Sequence, residues 1–182
     1  MKIGTYFGLS ILVLVIFSCT KMNEDESNAS QNEEYPDQES WNAKMYFTRD
    51  GKRQAVMVAG YVAKYSNKRY TLLKEGVRVD FYDSDGKVKS VLTSQQGKVL
   101  DDTQDMIATG MVEMVSSNGT HLYSEVLWWD NNVAKVQSKV PVKITTQTDT
   151  LYGDTFQSDP DLTNYDITNP RGSSQKTIII NE

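Results

Sequence analysis

The stretch HLYSEVLWWD at residues 121–130 has a counterpart in TLYGDTFQSD at residues 150–159, and this internal repeat decides the fold. The matching positions lie 29 residues apart. The sequence between them repeats as well, because MIATGMV at residues 106–112 lies 30 residues before VQSKVPV at residues 136–142. Such self-similarity predicts a stack of structural units, each of which buries its apolar face against its neighbours.

Each repeated unit is predicted to form two β-strands, with a small residue near the middle of each strand. Apolar and polar residues alternate, as in VRVDF at residues 77–81, and this period of two is typical of strands. Asp-Gly and Asn-Gly pairs separate the runs and predict hairpin turns. Small residues at matching points let successive strands bend and stack, while the strands at the two ends keep an unpaired edge. An exposed edge of this kind can join another chain by strand addition.

The composition excludes several function classes. The chain of 182 residues has a formal net charge of -5 and no basic stripe, so it lacks the clustered cations that nucleic-acid binding requires. Cys19 and His121 are its single cysteine and single histidine, which excludes an intrachain disulfide and a zinc site built from Cys and His ligands. We therefore expect no cofactor, no metal and no catalytic residues.

Residues 1–18 read as a lipoprotein signal peptide. Met1-Lys2 precedes an apolar run at residues 3–17, which is shorter than the roughly 20 residues of a membrane-spanning helix and matches the hydrophobic region of a secretory signal. The run ends in Ile16-Phe17-Ser18-Cys19, which resembles a bacterial lipobox. We expect cleavage before Cys19 and lipidation of its thiol, which would anchor the chain to a membrane. The alternative is an uncleaved anchor helix with an incidental cysteine.

The segment after the signal predicts a tether followed by a folded domain. Residues 20–40 contain seven acidic residues and one lysine, a composition that cannot bury enough apolar surface to fold. We therefore interpret residues 19–40, with the lipidated Cys19, as a flexible acidic tether. The strand pattern then predicts a β domain at residues 41–172, followed at residues 173–182 by a tail or an edge strand.

The ordered series of these stretches resembles the LptC family of lipopolysaccharide export proteins, within the wider group of LptA-like β-jellyrolls. The resemblance covers residues 36–172 and includes VRVDFYD at residues 77–83, DMIATG at residues 105–110 and SKVPV at residues 138–142. It implies an all-β fold, an antiparallel β-jellyroll with two facing sheets and open edges. It also implies that no covalent chemistry occurs in this chain, which argues against an enzyme.

The resemblance further implies a function in the bacterial envelope. LptC-like proteins accept lipopolysaccharide from the inner-membrane LptBFG ABC transporter and pass it to an LptA-like bridge protein, with the lipid in a hydrophobic groove between the sheets. We therefore expect a periplasmic protein that is anchored to a membrane, the inner membrane being the expected one. LptC-like proteins often carry an N-terminal membrane helix, and we expect the lipobox and the tether to replace it in this sequence.

The groove requires apolar side chains that face inward, and alternation along the strands selects them. For each such residue the alternative is ordinary core packing, which is the more common role of an inward apolar side chain. The residues assigned to the groove are Val77, Val79, Phe81, Ile107, Val112, Met114, Leu122, Leu127, Trp129, Val142, Ile144 and Phe156.

The resemblance places the contact with the bridge protein at the C-terminal end of the domain. We assign this partner edge to Leu162, Tyr165 and Ile167, and the β-prone segment at residues 177–180 is a further candidate. Acidic residues that recur with the repeat, such as Asp130 and Asp159, are expected to hold strand ends and turns, because no nucleophile and base accompany them.

Two other functions remain open at this point. The first is a β-rich envelope lipoprotein that acts as an assembly scaffold without binding lipid. The second is a carbohydrate-active enzyme on a β scaffold, for which the chain lacks a recognisable nucleophile and base. The carrier requires a groove that is open to acyl chains, whereas the scaffold requires only a collapsed core.

Overall fold

The computed structural model of the protein describes residues 35–174, which form β-strands joined by turns and one short 3-10 turn at Ser66–Lys68. The segments are rich in Val, Ile, Thr and aromatic residues, which favour the extended backbone. The strands are β1 (Gln38–Arg49), β2 (Lys52–Tyr65), β3 (Tyr70–Tyr82), β4 (Val88–Ser94), β5 (Gln96–Leu100), β6 (Met106–Ser116), β7 (His121–Asp130), β8 (Lys135–Ser138), β9 (Val142–Thr145), β10 (Asp149–Gly153), β11 (Phe156–Ser158), β12 (Tyr165–Ile167) and β13 (Arg171–Ser174).

The strands form one continuous 13-stranded sheet that bends into two halves, called sheet I and sheet II, which share five long strands. Every pairing within residues 35–174 is antiparallel, which confirms the predicted fold class. The strands β4, β9, β10 and β13 belong to sheet I, and β5, β8, β11 and β12 belong to sheet II. The long strands β1, β2, β3, β6 and β7 run through both sheets. The sheets face each other, since Phe81 of sheet I packs against Trp129 of sheet II with ring centroids 5.3 Å apart.

A line of bends, the crease, separates the two sheets. In β6 the bend falls at Gly110 and Met111, whose φ angles are 78° and 45°, and in β3 it falls at Glu75 and Gly76, with φ angles of 60° and 82°. Gln95, between β4 and β5, joins these two bends, because its carbonyl accepts from Gly76 N at 3.3 Å and its N–H donates to Gly110 O at 3.0 Å. The long strands therefore bend at one level and fold the sheet back on itself.

Small residues occupy the crease, as the sequence predicts. The hydroxyl of Ser94 donates to the carbonyl of Gln96 at 2.9 Å, and Ser124 and Ser138 make the same contact two residues onward, at 3.0 and 2.9 Å. These hydroxyls satisfy carbonyl groups that leave the ladder at the bend. Gly153 holds the equivalent position in the next repeat, where a Cβ atom would overlap the side chain of Ile167.

The internal repeat corresponds to strands at matching levels of the sheet. Leu122 of β7 and Leu151 of β10 both pair with Ile144 of β9, one on each side. Equivalent residues of successive units therefore lie two strands apart in sheet I. Stacking of the units buries one continuous core between the sheets.

The first strand begins before the predicted domain boundary. Residues 38–40 of the expected tether pair with β2, and the backbone of Asp37 donates to Lys64 O at 2.8 Å. Within residues 35–174, no helix has the length and apolar character needed to span a membrane. The predicted signal peptide, the lipidated Cys19 and the candidate edge segment at residues 177–180 lie outside the described residues.

Both ends of the described fold present open strand edges. Of the strands in residues 35–174, β1 pairs only with β2, while β12 pairs only with β11 and β13 only with β10. Thus β1 forms the N-terminal edge of the two sheets, and β12 and β13 form their C-terminal edges. Such edges offer unpaired backbone groups to a neighbouring strand.

Candidate functional site

The space between the sheets contains most of the residues that the sequence assigns to the groove. Ten of them are between 0% and 4% exposed, and Trp129 is partly buried against the same cluster. Their inward orientation follows from the alternation along β3, β6, β7, β9 and β11. The ten buried residues are Val77, Val79, Phe81, Val112, Met114, Leu122, Leu127, Val142, Ile144 and Phe156.

Ile107 differs from these ten residues. On β6 the buried neighbours are Met106 and Ala108, and Ile107 between them is only partly buried and pairs with Lys98 and Trp128 on the adjacent strands. It nevertheless contributes to the lining of the narrow gap between the sheets, so its place in the groove stays a prediction.

Several interior residues are not among those that the sequence analysis assigns to the groove, although alternation along their strands indicates that they face inward. They lie on β2, β3, β4, β5 and β8 and line the same space between the sheets. The remaining gap there is only about 20 Å³, close to the volume one water molecule needs. We call this region the packed centre. The missed residues are Met57, Leu73, Leu92, Gly97, Met106, Ala108 and Val136.

A cavity of about 550 Å³ lies beside the packed centre, within the usual size range of ligand pockets. We call this cavity the mouth. Its apolar floor consists of Phe47, Ala55, Phe81, Met106 and Trp129. Its rim carries the polar and charged residues Thr48, Arg49, Gln54, Lys89, Gln104, Asn131, Asp159 and Asp161.

Two hydrogen bonds connect the sheets around the mouth. The guanidinium of Arg49, at the end of β1, donates to the carbonyl of Asn131 at 2.6 Å, and Ser116 Oγ of β6 donates to the carbonyl of Asp161 at 2.5 Å. Each bond joins sheet I to a loop of sheet II. The mouth can therefore widen when these two hydrogen bonds break, without disruption of the core.

The loop that carries Asp161 corrects one assignment made from the sequence. Leu162, which the sequence assigns to the partner edge, is 1% exposed and belongs to the core. Its φ angle of 56° turns the chain so that the side chain enters the space between the sheets. Tyr165 and Ile167 do lie on the edge strand β12, and their contact with a partner stays a prediction.

The repeated acidic residues make the structural contacts expected of them. Asp130 Oδ1 accepts from the backbone of Asn132 at 3.0 Å and holds the turn after β7. The ammonium of Lys135 donates to Asp159 at 2.8 Å and is the main cause that holds the pKa of Asp159 below its ordinary value. Within residues 35–174, no cluster of His, Cys, Asp and Glu side chains could hold a metal ion.

The fold and this site together define a class of protein: a bent antiparallel β-jellyroll with an apolar interior and open strand edges. The structure is similar to the crystal structure of LptH, the LptA homologous periplasmic component of the lipopolysaccharide transport device from Pseudomonas aeruginosa, with a TM-score of 0.53 and 10% sequence identity. The similarity covers 67% of this chain and 95% of that one. At this identity it supports the jellyroll fold.

The family follows from the sequence itself. The model of the LptC-related family of lipopolysaccharide-assembly proteins matches residues 7–161, and the chain belongs to that family. No curated protein matches the chain significantly. Family membership confirms the resemblance seen in the sequence and gives the protein a role in lipopolysaccharide transport.

Proposed function

We propose that this protein is a membrane-anchored periplasmic carrier that accepts lipopolysaccharide from the inner-membrane LptBFG ABC transporter and passes it to an LptA-like bridge protein. In this proposal the acyl chains occupy the space between the two sheets. The chain's own part is binding and transfer without covalent chemistry, so it is not an enzyme.

The observation that carries the proposal is the continuity between the mouth and the packed centre. Phe81, Met106 and Trp129 line both regions, so an acyl chain that enters at the mouth meets an unbroken apolar surface. The packed centre is filled by side chains, and the methionine side chains there can adapt to an incoming chain because they are flexible. Uptake therefore requires the sheets to separate beyond the mouth.

The open edges support the handover step. Neighbouring jellyrolls could add strands to β1 at one end and to β12 and β13 at the other, which would join their interiors. We place the transporter at the β1 end and the bridge protein at the β12 end, with Tyr165 and Ile167 in the contact.

Membrane anchoring through Cys19 belongs to the same proposal. Lipidation there would hold the chain at a membrane, with the inner membrane as the proposed location, while residues 20–37 link it to the domain. Metabolic labelling with an alkyne fatty acid should mark the wild-type protein, and Cys19→Ser should abolish both the label and recovery in the membrane fraction. Equal labelling of the two forms would contradict lipidation at Cys19.

Site-specific photo-crosslinking in living cells tests the carrier function. A photoreactive residue at Leu127, Val142 or Phe156 faces the interior, whereas one at Lys143 lies on the outer face, over the ring of Tyr123. We expect lipopolysaccharide adducts at the three interior positions and none at Lys143. Folded protein without an adduct at any interior position would exclude the carrier function.

The filled state of the packed centre favours a second candidate. A protein that acts as an envelope scaffold needs no free space between its sheets, and the gap of about 20 Å³ meets that condition. The scaffold predicts partner crosslinks at the edge strands together with no lipid adducts inside. The same crosslinking experiment therefore separates the two functions.

A further inference from the structure

Two β-bulges lie beside the mouth, and each leaves one residue unpaired. Along β1 and β2 the pair Phe47–Ala55 is followed by Thr48–Arg53, so Gln54 has no partner in the ladder. Along β3 and β4 the pair Phe81–Ser90 is followed by Tyr82–Val88, which leaves Lys89 unpaired. A bulge re-aims the side chain of its extra residue and often marks a functional position.

Both unpaired residues line the mouth, together with Arg49 from the end of β1. The ammonium of Lys89 makes no ion pair and no hydrogen bond with any described residue. The guanidinium of Arg49 donates to Asn131 O and keeps further N–H donors available. Next to Lys89, the inward Ser90 is 1% exposed, and its hydroxyl has no hydrogen-bond partner among the described residues. The mouth therefore holds two cations with unused N–H donors, and the buried Ser90 hydroxyl lies next to one of them in the chain.

The acidic residues of the mouth belong to the loop between β11 and β12 and are already engaged. Asp159 forms an ion pair with Lys135 at 2.8 Å, and the charge of Lys89 also contributes to the lowered pKa of Asp159. Asp161 Oδ1 accepts from the backbone of Thr163 at 3.0 Å. An added anion would meet unpaired positive charge at Lys89, whereas the negative charge of Asp159 is balanced by Lys135.

We propose that Arg49 and Lys89, with Gln54, bind a phosphate group of an amphiphile whose hydrocarbon chain lies on the floor formed by Phe47, Phe81 and Trp129. The inference rests on the proposed function and adds an orientation: the anionic headgroup stays at the mouth while the chains point toward the packed centre. Guanidinium and ammonium groups suit phosphate because their hydrogen bonds to it are charge-assisted. Both lipopolysaccharide and glycerophospholipids can supply such a group.

Binding by the purified full chain tests this assignment. The test variants are Lys89→Gln and Arg49→Gln, with Lys87→Gln and Lys52→Gln as matched controls that remove the same charge from the same hairpins outside the mouth. We expect each test variant to bind phosphorylated lipopolysaccharide about tenfold more weakly, and each control to bind as the wild type does. Lys89→Arg should keep most of the affinity, and thermal unfolding checks that every variant is folded.

The decisive comparison is between lipopolysaccharide with and without its phosphate groups. Enzymatically dephosphorylated lipopolysaccharide should bind the wild type and Lys89→Gln equally. If Lys89→Gln weakens both lipid forms to the same degree, or neither, the phosphate assignment is overturned while the carrier function stands. If only phosphatidylglycerol vesicles bind in a Lys89-dependent manner, the phosphate site stands and lipopolysaccharide is the wrong source. If the wild type binds neither lipid nor vesicle, both the site and the carrier function fail.

Discussion

The packed centre and the mouth are formed by the same two sheets, yet one is filled and the other is open. At the packed centre, Met57, Leu73 and Leu127 are at most 1% exposed and line a gap of about 20 Å³. At the mouth, bulges and loops hold the sheet ends apart around a cavity of about 550 Å³. The comparison indicates a division of tasks, in which the centre stabilises the fold and the mouth gives access to it.

The largest loss of stability is expected when a substitution creates a cavity in the packed centre. Leu127→Ala should lower the free energy of unfolding by about 2–5 kcal/mol, because neighbouring side chains on two sheets cannot fully collapse into the space. Urea unfolding followed by circular dichroism measures it. The control Val133→Ala, at a residue that is 52% exposed on the rim of the mouth, should change stability by less than about 0.5 kcal/mol. Equal effects would show that stability is not concentrated at the centre.

The next largest loss of stability is expected from a substitution at the crease. Gly110 has a φ of 78°, and a Cβ atom there would lie 2.5 Å from Gln95 Oε1, whereas Gly119 has a similar φ of 84° with nothing within 4 Å. Both Gly→Ala variants should lose about 1 kcal/mol through backbone strain. Gly110→Ala should lose roughly a further 1 kcal/mol because Gln95 must move. Identical losses in urea unfolding would mean that the crease tolerates a side chain.

A smaller effect is expected at the mouth. Ser116→Ala removes the hydrogen bond to Asp161 O and should lower stability by about 1 kcal/mol, while making it easier for the sheets to separate. Hydrogen exchange of the backbone amides in residues 158–164 should therefore be faster in the variant. The control is Ser117→Ala, at an exposed residue beside it, which should leave exchange unchanged. Faster exchange in both variants would point to a general loosening of the turn.

The smallest effect is the pH-dependent contribution of Asp159 to stability. The pKa of Asp159 lies below its ordinary value, chiefly because Lys135 donates to it, so its contribution to stability is present above the unfolded value of about 3.9 and is lost as pH falls through the folded pKa. The side chain of Asp159 is 36% exposed, and Asp159→Asn should lower Tm by at most about 2 °C at pH 6. The difference should vanish at acid pH, and a difference that persists there would point to lost packing.

Alternation in the sequence predicts the strands and most of the interior, while the antiparallel jellyroll is what the resemblance to the LptC family implies. Alternation worked for Val77, Val79 and Phe81 because β3 keeps one face inward along its length. Alternation is less decisive on β6, where Ile107 stands between the buried Met106 and Ala108 and is only partly buried.

Features that depend on backbone irregularity could not be predicted from alternation. Leu162 enters the core from a loop through a positive φ, and Lys89 turns to the mouth through a bulge. Both depend on how two strands are aligned in three dimensions, which the local pattern of apolar and polar residues does not specify. The mouth, which the proposed function requires, is built largely from such residues.

Two adjacent tryptophans permit the most direct test of the carrier function. Trp129 lies on the floor of the mouth, whereas Trp128 is 37% exposed and pairs with Ile107. A photoreactive residue replaces each in turn in living cells, and adducts with lipopolysaccharide are detected by immunoblotting. We predict a strong adduct at position 129 and little or none at position 128. Equal adducts at both positions, or none at 129 in folded protein, would contradict transport of lipopolysaccharide between the two sheets.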